Sequence, residues 1–224
     1  MPATSFDFPA AARECRVPDL PTLIQKGRKL YELLAEANRR VNLTRIDTPD
    51  GYWLKHVLDS LLIGYFFPEI ATRPFSLADI GCGAGFPSLV LAIAFPQLQI
   101  TAIDSIGKKT AFVRQAVTEL ALSNVTVINR RSREMNCQSA WQNRFDIVTG
   151  RAVAESVKLF QEARRLVRPD GRFILYKTPE QAAADLPLLN ALKPDRQSRP
   201  LHWQATAPRE LPGNAGTRLF LYSD

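Results

Sequence analysis

Between Leu77 and Ser105 the chain reads LADIGCGAGFPSLVLAIAFPQLQITAIDS. Gly81, Gly83 and Gly85 fall within five residues, Asp79 stands just before them, and Asp104 comes near the end of the stretch. Alternating glycines permit positive φ and let a ligand come close to the backbone. The N–H groups that open a helix after such a turn have no helical partner and can meet a ligand. A carboxylate at Asp104 can accept from both hydroxyls of a ribose. A nicotinamide dinucleotide and S-adenosylmethionine would use that chemistry alike.

Three details separate the two. The glycines read GxGxG and not GxGxxG, so the pyrophosphate fingerprint is imperfect. Asp79 would repel a pyrophosphate but suits the ammonium of a methionine moiety. The turn also sits near residue 80, behind two helical segments, and not at the start of the chain.

These residues need elements to hold them. From Leu20 to about Val41 apolar residues recur every three or four positions, the period of an amphipathic helix. A second helix is expected after DTPDG, with Trp53, Val57, Leu58, Leu61 and Leu62 on one face, ending before Pro68. Residues 1–19 read as frayed. From Phe75 strands and helices alternate. FSLADI, QLQITAID, NVTVINR, RFDIVTGRA and RFILYK read as five strands, with helices between them. The helix AESVKLFQEARRLVRPDG is expected to end in its Pro-Asp-Gly turn, and Ala111, Phe112, Val113, Ala116 and Leu120 to face inward from the helix after Asp104. A helical stretch follows near EQAAADLPLLNAL, and PLHWQAT and TRLFLYS form an antiparallel pair around PGNAG. This order predicts an α/β fold: a Rossmann-like, class I methyltransferase architecture with a mostly parallel, doubly wound sheet, an antiparallel C-terminal hairpin and an N-terminal helical cap.

Composition narrows the function classes. The chain has 224 residues, 46% of them apolar, which suits one core of ordinary size. A net charge of +7 favours a polyanionic partner. Cys15, Cys82 and Cys137 contain no CxxC pair, so no metal site and no disulfide framework is expected, and reduced thiols fit a cytoplasmic protein. The N-terminus lacks a basic-then-apolar signal pattern, and the longest apolar run is too short for a bilayer.

The sequence also resembles a known family. NLTRI (Asn42 to Ile46), HVLDSL (His56 to Leu61), DIGCGAGFPSLVLA, DSIGKKTAFVRQ (Asp104 to Gln115) and FDIVTGRAVA (Phe145 to Ala154) are similar, in order, to the glucose-inhibited division protein B family. These are 16S rRNA guanine-N7 methyltransferases, also called small-subunit methyltransferase G. The resemblance runs from about Asn38 to Lys177. It implies S-adenosylmethionine as cofactor and transfer to N7 of a guanine in the decoding-region loop, with 16S rRNA or the small ribosomal subunit as partner. It implies cofactor contacts from Gly81, Gly83, Gly85, Phe86, Asp104, Ser132, Arg133 and Arg151, beside the Asp79 contact read from the residues themselves. Residues 1–72 are then an N-terminal extension and cap, and 73–224 the methyltransferase domain, in one compact unit. The chain departs from the family at Cys82 (usually Thr), at Ser88 and Thr178 (each usually Gly), at Gly150 (usually Ser) and at Ala37 (commonly Trp).

Guanine N7 carries a lone pair and no proton, so its methylation needs no general base. The chain lacks the Asn/Asp-Pro-Pro-aromatic motif of exocyclic amine methylation and a Pro-Cys nucleophile. Arg151 and Lys177, both at carboxyl ends of strands, are candidates to position the substrate base or its phosphate. His56, Asp59 and Ser60 either line the mouth or brace the helices; the brace is the reading taken, as it is for Asn42 and Thr44. Arg39, Arg40, Arg45 and Lys55, then Lys108, Lys109 and Arg114, then Arg130, Arg131 and Arg133 are candidates to track phosphates, whereas Arg164, Arg165 and Arg168 read as a solvated helix end. A monomer that spans no membrane is expected. Two other functions compete: a non-catalytic RNA-binding protein on the same scaffold, and a dinucleotide-dependent reductase, which would want GxGxxG and a catalytic Tyr-x-x-x-Lys.

Overall fold

The computed structural model describes residues 4–45, 48–151, 155–193 and 201–224. Of the resemblance motifs, Ile46 and residues 152–154 lie outside the described residues.

Residues 4–19 are ordered, which corrects the expectation that this segment is frayed; residues 1–3 of that expectation lie outside the described residues. Helix α1 (Phe8–Glu14) is capped by Asp7, whose carboxylate accepts from the Ala10 N–H at 2.9 Å. Phe8 and Ala12, one turn apart, are fully buried, and Phe8 packs on Trp53 with ring centroids 4.7 Å apart. Burying one phenylalanine contributes about 1.5–3 kcal/mol. A seven-residue helix, too short to persist on propensity, is held by that contact.

Helix α2 (Leu20–Asn38) follows, capped by Asp19. Its last residue organises the Asn42–Thr44 segment. Asn38 Oδ1 accepts from the Leu43 and Thr44 N–H groups at 2.7 and 3.0 Å, and Asn38 Nδ2 donates to the Thr44 carbonyl at 2.9 Å. The second helix starts earlier than expected, at Pro49, with Thr48 as its cap. It runs as α3 (Pro49–Tyr52), a π-helical segment (Trp53–Leu58) and α4 (Asp59–Phe66). All five residues assigned to one face are buried, and so are Leu54 and Ile63. A helix this apolar on most sides belongs inside the protein.

Strands β1 (Ser76–Ile80), β2 (Gln99–Asp104), β3 (Val125–Asn129), β4 (Phe145–Gly150) and β5 (Val167–Lys177) pair in parallel in the order β3-β2-β1-β4-β5. Helices α5 (Ser88–Ala94), α6 (Gly107–Glu119), α7 (Ser132–Asn136) and α8 (Ser156–Ala163) lie between them in sequence. On α6, Phe112, Ala116 and Leu120 are buried as expected, but Ala111 is exposed. Strand order reverses at β1 and β4, and a crevice opens beyond the carboxyl ends of strands at such a point.

The Pro169-Asp170-Gly171 turn does not end a helix. Helix α8 stops at Ala163, and the three residues form a bulge inside β5, where Phe145 pairs with Val167 but Ile147 pairs with Arg172. A Cβ at Gly171 would lie 2.7 Å from the Asp146 carbonyl, so the backbones pass at a distance only glycine allows. Arg168 leaves the predicted helix end and pairs with Asp146 at 2.5 Å.

After α9 (Pro179–Asn190), β6 (Trp203–Ala205) and β8 (Thr217–Ser223) pair antiparallel, with β8 lying between β5 and β6. The short strand β7 (Arg209–Glu210), not foreseen in the sequence, also pairs with β8. One buried apolar cluster joins Phe8, Leu23 and Tyr52 of the N-terminal helices to Leu77, Ile100 and Ile174 of the sheet. Among the described residues no helix is long and apolar enough to cross a membrane.

Candidate cofactor cleft

The glycine turn follows β1 directly. Gly81, Gly83 and Gly85 all have positive φ, at 72°, 58° and 88°. At Gly85 a Cβ would lie 2.4 Å from Leu89 Cδ1, so this position requires glycine for space as well as for conformation.

Asp79 sits at the carboxyl end of β1 and is fully buried. Its Oδ2 accepts from the Ser88 hydroxyl at 2.5 Å and the Ser88 N–H at 3.2 Å, while Oδ1 has no hydrogen-bond partner. Burial pushes its carboxyl up to about 6, against the pull of the Ser88 hydrogen bonds and the Arg151 charge. A buried carboxylate oxygen without a donor calls for one from outside the chain. Ser88 is therefore the residue that fixes this carboxylate.

Asp104 ends β2, 7% exposed. Its Oδ2 accepts from the Gly83 N–H at 2.9 Å and its Oδ1 from the Ile106 N–H at 2.8 Å. Each oxygen keeps a second lone pair, so the carboxylate is aimed and can still take a diol. Cys82, between two of the glycines, is buried, and burial with the nearby Asp79 and Asp104 charges pushes its thiol far above the usual range. It is a small neutral filler and not a nucleophile.

Beside Asp104 a cleft of about 350 Å³ is lined by Gly81, Arg130, Ser132, Arg133, Lys158 and Glu162, among others. Ser132 and Arg133 thus stand at the same opening as Asp104. Lys158 and Glu162 come from α8, and the sequence reading missed them. Their i, i+4 spacing on that helix was the available signal.

Arg151 follows β4 and turns toward the helical cap. Its Nη1 donates to the Lys55 carbonyl and to Asp59 Oδ2, each at 2.8 Å, and its Nη2 donates to His56 Nδ1 at 3.0 Å. Arginine can only donate, so Nδ1 accepts, the ring proton sits on Nε2, and Nε2–H donates to Thr44 Oγ1 at 2.9 Å. Burial and the Arg151 charge depress the His56 pKa to about 3, so the ring is neutral. Phe86, next to the glycine turn, stacks on this ring, and the Arg151 guanidinium lies 5.7 Å from the Phe86 centroid. Asp59 Oδ1 also accepts from Arg218 Nε at 2.8 Å. Ser60 is buried, donates to the His56 carbonyl at 2.6 Å, and has its own carbonyl bound by the Tyr176 hydroxyl at 2.7 Å. The cap residues and Arg151 thus form one network packed against Phe86.

Lys177, at the end of β5, is 5% exposed and pairs with Asp185 at 2.8 Å; the Ser156 hydroxyl donates to the same carboxylate oxygen at 2.6 Å. The Lys177 ammonium stands apart from the Arg151 network and is not free to reach a phosphate. Among the described residues no group of three or more His, Cys, Asp or Glu side chains could hold a metal ion.

The family model described as rRNA small subunit methyltransferase G matches residues 23–193. The chain belongs to this family. A ribosomal RNA small subunit methyltransferase G of Limosilactobacillus reuteri is 42% identical over 155 residues, 69% of this chain. One of Exiguobacterium sibiricum is 40% identical over 154 residues, again 69% of this chain. The matched region spans 64% of the length of each relative. Among solved structures, a predicted O-methyltransferase from Agrobacterium tumefaciens superposes with a TM-score of 0.51 at 16% identity, over 67% of this chain and 74% of that one. That likeness bears on the fold alone, and the fold is the Rossmann-like methyltransferase architecture expected from the order of elements. In this small-subunit methyltransferase G member Gly81 and Asp104 line one cleft, Asp79 lies buried beside the glycine turn, and the Asn42–Thr44 and His56–Ser60 motifs meet through the Thr44–His56 hydrogen bond.

Proposed function

We propose that the chain is an S-adenosylmethionine-dependent methyltransferase that methylates N7 of a guanine in 16S rRNA, in the decoding-region loop of the small subunit. It works in the cytoplasm as a monomer, with the helical cap of residues 1–72 serving the methyltransferase domain of 73–224. The observation that carries the reading is the buried Asp79 carboxylate, with one oxygen lacking a donor beside the glycine turn. It fits the ammonium of a methionine moiety and repels a pyrophosphate, which disfavours a dinucleotide.

In this reading Asp79 takes the ammonium, the turn at Gly81, Gly83 and Gly85 passes close to the ligand, and Phe86 walls it. Asp104 takes the ribose diol, and Ser132 and Arg133 flank the base. When bound, S-adenosylmethionine supplies an electrophilic methyl group. The chain's own task is to hold the guanine in line with it. Orientation of this kind contributes roughly 7–11 kcal/mol. No base is required, and His56, the titratable ring nearest the glycine turn, is neutral with Nδ1 occupied by Arg151. Arg151 is the positioning group at this end, fixed by Asp59 and His56. Lys177, taken up by its pair with Asp185, has no part in positioning the substrate.

The test is incubation with labelled S-adenosylmethionine and 16S rRNA or subunits lacking the modification, followed by borohydride and aniline cleavage. A single new strand break at one guanine is expected. Label without a break would place the methyl on another atom. Cofactor binding without label would favour the non-catalytic RNA-binding alternative. RNA affinity should also fall steeply with salt, because cations that track phosphates release counterions.

A further inference from the structure

The cleft beside Asp104 is rich in cations, yet Glu162 places one carboxylate among Arg130, Arg131, Arg133 and Lys158. Glu162 forms no ion pair with any of them among the described residues. Its Oε2 accepts from the Ser132 hydroxyl at 3.2 Å, and its Oε1 has no partner among the described residues. The side chain is half-buried and held in place from α7, one strand over from Asp104, since Asp104 pairs with Asn129 of β3. Asp104 and Glu162 line the same cleft of about 350 Å³, so a nucleoside whose ribose meets Asp104 has this carboxylate within the same opening.

Resting on the reading of this cleft as the nucleoside end of the cofactor site, we propose that Glu162 selects adenine by accepting a hydrogen bond from its 6-amino group. An ionised carboxylate only accepts. Adenine presents a donor at that edge, whereas hypoxanthine, identical in size there, presents a carbonyl oxygen. Acceptor would then face acceptor, and neither group would be satisfied. Ser132 is the positioning residue: its hydroxyl occupies one carboxylate oxygen and turns the other toward the base.

The experiment is calorimetric titration of the full chain with S-adenosylhomocysteine and with its 6-oxo analogue, S-inosylhomocysteine. A hydrogen bond to a charged group predicts that the wild type binds the adenosyl compound about 10–100-fold more tightly. In Glu162→Gln the amide can turn its NH₂ to the carbonyl, so the ratio should fall to about threefold or less. Glu162→Asp, which withdraws the carboxylate by one methylene, should also cut the ratio, and it serves if the glutamine variant does not fold. Ser132→Ala should weaken binding of the adenosyl compound while leaving a preference for it. A wild type that binds both compounds equally, or a ratio unchanged in Glu162→Gln, overturns the proposal and leaves the cofactor reading intact. A wild type that binds neither overturns the cofactor reading, and the proposal with it.

Discussion

The His56 ring lies flat on the Phe86 ring, with centroids 4.2 Å apart and planes 11° from parallel. One ring belongs to the π-helical segment of the cap, and the other stands beside the glycine turn. If Phe86 walls the cofactor as proposed, the cap backs that wall, and a change in the cap is expected to reach ligand affinity without any direct contact.

Asp59 is the residue on which that wall depends. Its two oxygens hold Arg151 and Arg218, and its own side chain is 6% exposed. Removing one member of such a buried group costs about 3–5 kcal/mol, because the partners keep their charges. Asp59→Ala should lose stability in that range in urea unfolding at unchanged m-value, and should weaken S-adenosylhomocysteine binding. A loss below about 1 kcal/mol, the ordinary value of an exposed pair, would show that the clasp contributes little.

Two buried groups give opposite responses to acid. The His56 pKa is depressed to about 3, below its unfolded value of 6.5, so its contribution is full above 6.5 and is lost as pH falls toward 3. The Asp79 pKa is raised to about 6, above its unfolded value of 3.8, so its contribution is full below 3.8 and is lost as pH rises through 6. Within the shared window they offset one another. Asp79→Asn removes one term, so its melting temperature should fall more steeply than that of the wild type from pH 6 to pH 4. Parallel curves would contradict this assignment.

Ser88 holds Asp79 ionised through two hydrogen bonds. Affinity for S-adenosylhomocysteine should fall as pH drops through the Asp79 pKa, and in Ser88→Ala that inflection should move to higher pH. Ser88→Gly, which also removes the hydroxyl, should act in the same direction. Titration calorimetry from pH 5 to 8 checks both variants, and an inflection that stays in place would remove Ser88 from the role.

The glycines of the turn are not equivalent. Alanine at Gly85 would collide with Leu89 at φ +88°, whereas alanine at Gly83 meets only the Gly81 carbonyl, at 3.9 Å. Gly83→Ala should cost about 1–2 kcal/mol for its left-handed backbone. It should remain folded with reduced ligand affinity, while Gly85→Ala should be clearly less stable. Equal melting temperatures for the two variants would count against this division.

What the sequence made legible was local. The Gly81–Gly85 turn, the strands and the fold order are written in turn chemistry and in hydrophobic period, and both act over a few residues. Phe8 and Ala12 carried the signal for α1, but three prolines and a run of alanines nearby masked it. The bulge at Gly171 was hidden because Pro-Asp-Gly serves a turn and a bulge alike. The Arg151–Asp59–Arg218 clasp was out of reach, since its members lie 92 and 159 positions apart and no periodicity links them. The brace reading of His56 followed from spacing alone; its neutral tautomer needed the fold.

That separation also sets an order in time. During synthesis Asp59 emerges 92 residues before Arg151 and 159 before Arg218, and Arg218 lies on β8, which inserts between β5 and β6. Until that strand leaves the ribosome, Asp59 has only part of its counter-charge. A nascent chain therefore closes the Arg151–Asp59–Arg218 clasp only once β8 is in place.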